Sequence, residues 1–110
     1  MAHSITKTFD SYTLSYRSGH PQMDARIYCF QGNTRVGTID FIKQGLIIPK
    51  NMYDKNPGGW GIYIYYSIAR FADVLTILEN EKPLILYFTE DTLDAGIITS
   101  EYEPVGEQEI

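Results

Sequence analysis

Apolar positions are densest just past the middle of the chain, where their spacing first follows a strand and then a helix. Residues 62–66 read Ile-Tyr-Ile-Tyr-Tyr and alternate with period two, as in a β-strand with one buried face. β-Branched and aromatic residues suit such a strand. We assign Ile62 and Ile64 to the core and place Tyr63 and Tyr65 on the opposite face.

The spacing after this strand predicts a helix over residues 68–81. Ser67 is a suitable N-cap residue, because its hydroxyl oxygen can accept a hydrogen bond from a free N–H of the first turn. Pro83 ends the helix, since it lacks an N–H and disfavours helical geometry at Lys82. The uninterrupted apolar run at residues 84–88 is typical of a strand covered on both faces.

The apolar side chains of this predicted helix cover a wide arc. At about 100° per residue they span roughly 220°, whereas a helix with one buried side needs a stripe of about 100°. Either another segment of the chain covers the remainder, or a second copy of the chain does. The second alternative predicts a homodimer interface made of Val74, Ile77, Leu78, Tyr63 and Tyr65.

Before this region, alternating apolar and polar positions predict a meander of strands. The Gln-Gly-Asn sequence at residues 31–33 predicts a hairpin connection, and a slip in the alternation beside Gly37 indicates a β-bulge. The predicted strands outside the central region are residues 9–17, 25–30 and 34–43, a short edge strand at 45–48, and a last strand at 95–100.

These elements predict an α+β fold in which one α-helix packs across an antiparallel sheet of five to seven strands, in the order β-β-β-β-α-β-β. A chain of 110 residues fits a single domain with an independent core. We expect residues 1–8 to be a mobile N-terminus, residues 9–100 to form the domain, and residues 101–110 to form an acidic C-terminal tail.

Composition adds two features to this picture. The chain has nine tyrosines, a residue that is common both on strands and at contact surfaces. Its formal net charge of −5 is uneven: residues 1–55 hold seven Lys/Arg against four Asp/Glu, and residues 56–110 hold two against ten. Such asymmetry indicates a charged partner, a charged tail, or association between unlike halves of two chains.

The basic half of the chain supports an alternative function, the binding of single-stranded nucleic acid. Cationic side chains follow phosphates and aromatic rings stack on bases. The acidic sequence pI of about 4.8 opposes this function, because phosphate binding depends on local positive charge. The residues that would form the site lie on three neighbouring predicted strands: Arg17, Arg26, Tyr28, Arg35 and Lys43.

A third alternative is a small-molecule site at the predicted loop over residues 49–60, with Tyr53 and Trp60 as its aromatic members. Loops of about this length are functional more often than shorter ones. A passive connector, pinned by the same aromatic residues, is the structural alternative.

Catalytic chemistry has no matching pattern in the sequence. His3 and His20 fall in a predicted tail and a predicted turn, and Cys29 lies mid-strand, where a free cysteine behaves as a small hydrophobe. The acidic run at residues 90–94 lacks the spacing of a calcium loop. The motifs of serine hydrolases, phosphate-binding loops, dinucleotide-binding folds and zinc proteases are absent.

A single cysteine excludes an internal disulfide and a Cys-based zinc site within one chain. No stretch of the sequence resembles a signal peptide or contains a run of about 20 apolar residues, so we expect neither a leader nor a membrane span. We therefore expect a cytoplasmic, non-enzymatic interaction module that forms a homodimer, with a further protein partner possible, without a cofactor, a metal ion or a membrane partner.

Overall fold

The computed structural model describes residues 4–56, 59 and 61–99, which form two β-sheets and one α-helix. A short 3-10 turn over Ile68–Arg70 leads into the helix. The elements are β1 (Ser4–Phe9), β2 (Ser11–Tyr16), β3 (Met23–Gln31), β4 (Thr34–Ile42), β5 (Met52–Asp54), β6 (Gly61–Ser67), α1 (Phe71–Asn80), β7 (Leu84–Thr89) and β8 (Ala95–Ile98).

The strands form a five-stranded sheet with the order β2-β3-β4-β6-β5 and a three-stranded sheet with the order β1-β7-β8. The predicted mixture of one helix with mainly antiparallel pairing is confirmed, but the prediction of one continuous sheet is wrong. The two sheets arise because the predicted strand over residues 9–17 is broken at Asp10. β1 pairs with β7, whereas β2 pairs with β3. The Asp10 carboxylate accepts a hydrogen bond from the Gly32 N–H at the neighbouring hairpin.

The N-terminal residues predicted to be mobile include β1, which is fully paired with β7 from Ser4 to Phe9. Phe9 is only 2% exposed and belongs to the core. The single apolar position Ile5 ahead of Phe9 gives little sequence signal, and long-range pairing with the apolar strand β7 supplies the order instead.

Parallel pairing of β4 with β6 departs from the predicted antiparallel sheet. Residues 43–51 carry the chain past the end of β6 to the sheet edge, where β5 pairs antiparallel with β6. β6 then returns between β4 and β5. The predicted edge strand at residues 45–48 is not formed, and that segment is exposed loop.

Several local predictions are confirmed. The Ser67 Oγ accepts a hydrogen bond from the Ala69 N–H, as expected of an N-cap, although the turn it caps is 3-10 rather than α. The register of β3 and β4 shifts beside Gly37, where a bulge was expected. A Cβ at Gly37 would overlap the side chain of Leu86, so glycine also allows the two sheets to approach closely there.

One hydrophobic core joins the inner face of the five-stranded sheet, the three-stranded sheet and α1. The ring of Phe71 packs edge-on against that of Phe41, with centroids 5.0 Å apart. The helix thus shares the core with two sheets, where the sequence predicted one. The main core residues are Ala25, Ile27, Cys29, Ile39, Phe41, Ile62, Ile64, Val74, Leu78, Leu84, Leu86 and Phe88.

Candidate functional site: the outer face and open edge of the five-stranded sheet

The outer face of the five-stranded sheet is formed by the residues that alternate with the core positions of its strands. Register pairs Tyr28 with Thr38 and Thr38 with Tyr63, so these three side chains lie in one row across β3, β4 and β6. The outer face comprises Arg17, Arg26, Tyr28, Phe30, Arg35, Thr38, Asp40, Tyr63 and Tyr65.

Three guanidinium groups surround the Tyr28 side chain. The guanidinium carbon of Arg35 lies 4.7 Å from the centroid of the Tyr28 ring and 5.9 Å from that of Phe30. The guanidinium carbon of Arg26 lies 5.7 Å from the Tyr28 ring, and Arg17 reaches the Tyr28 hydroxyl from the end of β2. These distances are within the range of cation–π attraction.

Two opposing influences act on the pKa of the Tyr28 hydroxyl. Burial acts to raise its pKa, but hydrogen bonds and positive charge from Arg26 and Arg17 outweigh burial, so the pKa is lowered. The Nε of Arg17 is buried and has no hydrogen-bond partner among the described residues. Three arginines against the single carboxylate of Asp40 give this part of the outer face a net positive charge, which suits a negatively charged ligand.

Asp40 is the acidic counterpart within the cluster. Its carboxylate accepts two hydrogen bonds from Arg26, at 2.6 Å from Nε and 3.0 Å from Nη2. This bidentate pair raises the pKa of Arg26. Asp40 is only 2% exposed, so neighbouring side chains on the outer face remove it from water.

Lys43 and Asp24 form a second ion pair at the end of the sheet, with Nζ 2.7 Å from Oδ1. Both side chains are about one-third exposed. Among the predicted nucleic-acid residues, Arg17, Arg26 and Tyr28 therefore converge together with Arg35, and Lys43 lies apart from them.

On the β6 side of the outer face, the Asn51 side chain holds two separate segments of the chain together, a role that the sequence did not predict. Its Oδ1 accepts a hydrogen bond from the Tyr65 N–H at 2.8 Å, and its Nδ2 donates to the Leu93 carbonyl at 3.1 Å. The amide thus joins β6 to the turn before β8. Burial raises the pKa of Tyr65, and the charge of Asp40 acts in the same direction.

The five predicted interface residues do not share one surface. Val74 and Leu78 are 4% and 3% exposed and lie in the core, and Ile77 is half-buried against it. Tyr63 and Tyr65 lie on the outer face, on the other side of the sheet. A partner could reach Val74 or Leu78 only if the helix moved, whereas Tyr63 and Tyr65 are half-exposed. Self-association itself stays a prediction.

Among the described residues, β2 has a partner strand on one side only, so it forms an open edge of the five-stranded sheet. It has six residues in unbroken register with β3, and it contains no charged residue and no proline. Leu14 and Tyr16, on its inner side, are 40% and 71% exposed. The Tyr16 ring lies 5.3 Å from that of Phe71, so this apolar surface continues toward the helix.

A second apolar surface lies on the loop after β4. Leu46, Ile47 and Ile48 are exposed in succession, Ile47 to 93%, and Met52 is also exposed. Part of this loop borders a cavity of about 460 Å³ together with Ile42. The loop is the segment that the sequence analysis predicted as an edge strand.

Tyr53, predicted for the small-molecule alternative, is half-buried in β5 with its ring 6.5 Å from that of Phe88. It borders a cavity of about 240 Å³ that Lys7, Arg35, Asp54 and Lys55 also line. Trp60, the second predicted residue, lies outside the described residues.

The remaining reactive groups have structural surroundings. The Nδ1 of His20 accepts hydrogen bonds from the N–H groups of Gln22 and Met23, and His3 lies outside the described residues. Cys29 is fully buried, and burial raises the pKa of its thiol to about 12. Within residues 4–56, 59 and 61–99, no three His, Cys, Asp or Glu residues are placed to hold a metal ion. With ten residues, the described helix falls short of the length and apolarity that crossing a membrane requires.

No protein-family model, no curated protein sequence and no solved structure matches this chain. A function for this chain therefore has to be inferred from its own geometry. Sequence reasoning found Arg26 and Tyr28 on one face by their parity. Phe30, with the same parity, could have been added in the same way, whereas the exposed edge of β2 depends on strand order and had no local signal.

Proposed function

We propose that this chain is a non-enzymatic interaction module that self-associates as a two-fold dimer, through antiparallel pairing of β2 with β2 of a second copy. The carrying observation is the uncharged, regular edge of β2 with Leu14 and Tyr16 exposed beside it. Unpaired strand edges of this kind are templates for pairing with another chain. Two-fold dimers are the commonest oligomers, and antiparallel pairing of identical strands obeys two-fold symmetry.

The hydrogen-bond pattern of β2 limits the registers that such pairing can adopt, and the register centred on Leu14 is one of those it allows. The Arg17 N–H donates to the Asp24 carbonyl of β3. By the alternation of antiparallel pairs, the N–H groups of Thr13 and Ser15 also point toward β3, and those of the even-numbered residues point to the open edge. Pairing centred on Leu14 places Leu14 opposite its own copy and Tyr12 opposite Tyr16 of the second copy.

This register brings like surfaces together. Tyr12, Leu14 and Tyr16 lie on the inner side of β2, so cross-strand aromatic and aliphatic pairs would form on that side. The result is a continuous ten-stranded sheet, with the two copies of Phe71 near the new contact. Burial of the exposed part of Leu14 and Tyr16 supplies apolar contact that the other described residues do not give these side chains.

The other described edges suit pairing less well. β5 has three residues and includes Asp54, and β8 has four residues. β1 is as long as β2 but contains Lys7. Short strands and charged side chains are the features that prevent edge pairing, and β2 has neither.

Light scattering coupled to size-exclusion chromatography tests the proposal. At tens of micromolar the wild-type chain is expected to have twice the monomer mass, and Leu14→Lys is expected to be monomeric, because it places two ammonium groups beside the two-fold axis. The matched control is Thr13→Lys. Thr13 lies on the outer side of the same strand, and the proposed register places it opposite Ser15 of the second copy. A monomeric wild type, or equal loss of dimer in both variants, would overturn the proposal.

Amide hydrogen exchange tests the register within one strand. The N–H groups of Thr13 and Ser15 bond to β3 in either oligomeric state and should be protected in both. Those of Tyr12, Leu14 and Tyr16 should be protected in the wild type and exchange quickly in Leu14→Lys. Fast exchange of these three groups in a wild-type dimer would mean that the dimer forms elsewhere.

A further inference from the structure

The arginine cluster of the outer face has no part in pairing through β2. We propose that the outer face is a second binding site, which binds single-stranded nucleic acid. Arg17 and Arg35 are directed to phosphates, Tyr28 and Phe30 provide the stacking surface, and Arg26, which is paired with Asp40, positions the Tyr28 side chain.

The chemistry of the cluster fits such a ligand. Arg35 lies between the rings of Tyr28 and Phe30, at 4.7 and 5.9 Å, so aromatic and guanidinium groups alternate along the face. Bases stack on aromatic rings and also on guanidinium planes. Tyr63 and Tyr65 extend this surface across β6. Guanidinium groups bind phosphate oxygens through paired N–H donors.

Acidic side chains are fewer than cationic ones on the outer face, which answers the objection from the acidic pI. The outer face and the end of its sheet hold four cationic side chains, including Lys43, and two acidic ones, Asp24 and Asp40. Six of the ten acidic residues in the described part of the chain lie instead on α1, just after it, or between β7 and β8: Asp73, Glu79, Glu81, Glu90, Asp91 and Asp94. A local positive field, rather than net charge, attracts phosphates.

The shape of the surface favours single strands over a duplex. The aromatic rings can contact only bases whose faces are exposed, and duplex stacking hides those faces. A face made of three neighbouring strands offers a platform, and the described helix packs against the opposite, inner face, where it could not enter a groove beside the cluster.

Fluorescence anisotropy at low ionic strength tests the proposal, with labelled oligo(dT) of about 15 nucleotides as the probe. Binding should weaken with salt. Arg17→Gln should weaken it several-fold and reduce the salt slope by about 0.7, the value for one phosphate contact with a single strand. The matched control is Arg70→Gln, an exposed arginine on the 3-10 turn, which should leave both quantities unchanged.

The stacking role has its own pair of variants. Tyr28→Leu should weaken binding about tenfold with an unchanged salt slope, and Tyr28→Phe should keep binding within about twofold, because it retains the ring. Circular dichroism establishes that each variant is folded.

Three outcomes would overturn the proposal: no binding by the wild-type chain, equal loss in Arg17→Gln and Arg70→Gln, or binding to a duplex of the same length as tight as to the single strand. Leu14→Lys, which targets the proposed dimer, should still bind the probe. Loss of the dimer and loss of nucleic-acid binding are therefore separate results.

Discussion

The inner and outer faces of the five-stranded sheet are built from the same three central strands, but different forces stabilise them. Phe41 on the inner face is fully buried among other aromatic rings. Its neighbour Asp40, on the outer face, is almost as fully buried but is held by the Arg26 guanidinium. Burial alone therefore does not distinguish the faces. Apolar packing fills one face, and the other holds a largely buried ion pair next to the Tyr28 ring.

Phe41→Ala gives the largest expected effect. The ring contacts Phe71 at 5.0 Å and Tyr66 at 6.1 Å between centroids, and its removal leaves a cavity where both sheets and the helix meet. Loss of a fully buried phenylalanine costs about 4 kcal/mol in the free energy of unfolding. Urea denaturation followed by circular dichroism measures it.

Tyr63→Ala is the matched truncation on the outer face. The Tyr63 side chain is half-buried, so we expect a loss of about 1 kcal/mol in the same experiment. Equal losses in the two variants would mean that the outer face is also part of the core, and would remove the distinction between the faces.

Cys29 makes the stability of the inner face depend on pH. Burial raises the pKa of its thiol from 9.0 to about 12, so the unfolded chain loses this proton at lower pH than the folded chain. The contribution is fully present below pH 9 and is lost as the pH rises toward 12, by about 1.4 kcal/mol per pH unit.

Denaturation of the wild type and Cys29→Ala at several pH values separates this contribution from that of the tyrosines. Burial also raises the pKa values of Tyr65, Tyr66 and Tyr87, whose ordinary value is 10.0, so they act in the same direction at higher pH. The variant should have a flatter profile between pH 9 and 10. An identical slope in both proteins would contradict the expected burial of the thiol, as would rapid reaction of native Cys29 with a thiol reagent.

Local chemistry made much of the fold predictable. The alternation of Ile62 and Ile64 with Tyr63 and Tyr65 identified the two faces of β6, and the slip beside Gly37 identified the bulge. Such features depend on neighbours in sequence, because the side-chain period and turn geometry are set within a few residues.

Long-range pairing was not predictable in the same way. The local pattern of residues 9–17 does not indicate that Phe9 belongs to one sheet and Tyr12 to another. That division depends on β7, which lies far along the chain. The parallel pairing of β4 with β6 has the same origin. The candidate site shows the same contrast. The alternation along β3 put Arg26 and Tyr28 on one face, but the open edge of β2 follows from the order of strands.

Thr38→Val should stabilise the chain, a change opposite in sign to the core truncation. Thr38 is 1% exposed, and its hydroxyl has no hydrogen-bond partner among the described residues. Valine has nearly the same shape, so the change removes the cost of burying an unsatisfied hydroxyl, about 1 kcal/mol. Thr13→Val, at an exposed position of β2, should change the stability by less than about 0.5 kcal/mol. A destabilised Thr38→Val variant would show that the outer face satisfies this hydroxyl.

Lys43→Met gives the smallest expected effect. It measures how much the Lys43–Asp24 ion pair at the end of the sheet contributes to stability. The Lys43 and Asp24 side chains are 33% and 28% exposed, so water screens their attraction despite the 2.7 Å contact. Exposed pairs contribute about 0.5 kcal/mol, and this contribution should disappear in salt of about 1 M. A double-mutant cycle with Asp24→Asn measures the coupling. A coupling above about 2 kcal/mol that persists in high salt would place this pair with the buried Arg26–Asp40 pair, and the paired-charge region would then extend to the end of β4.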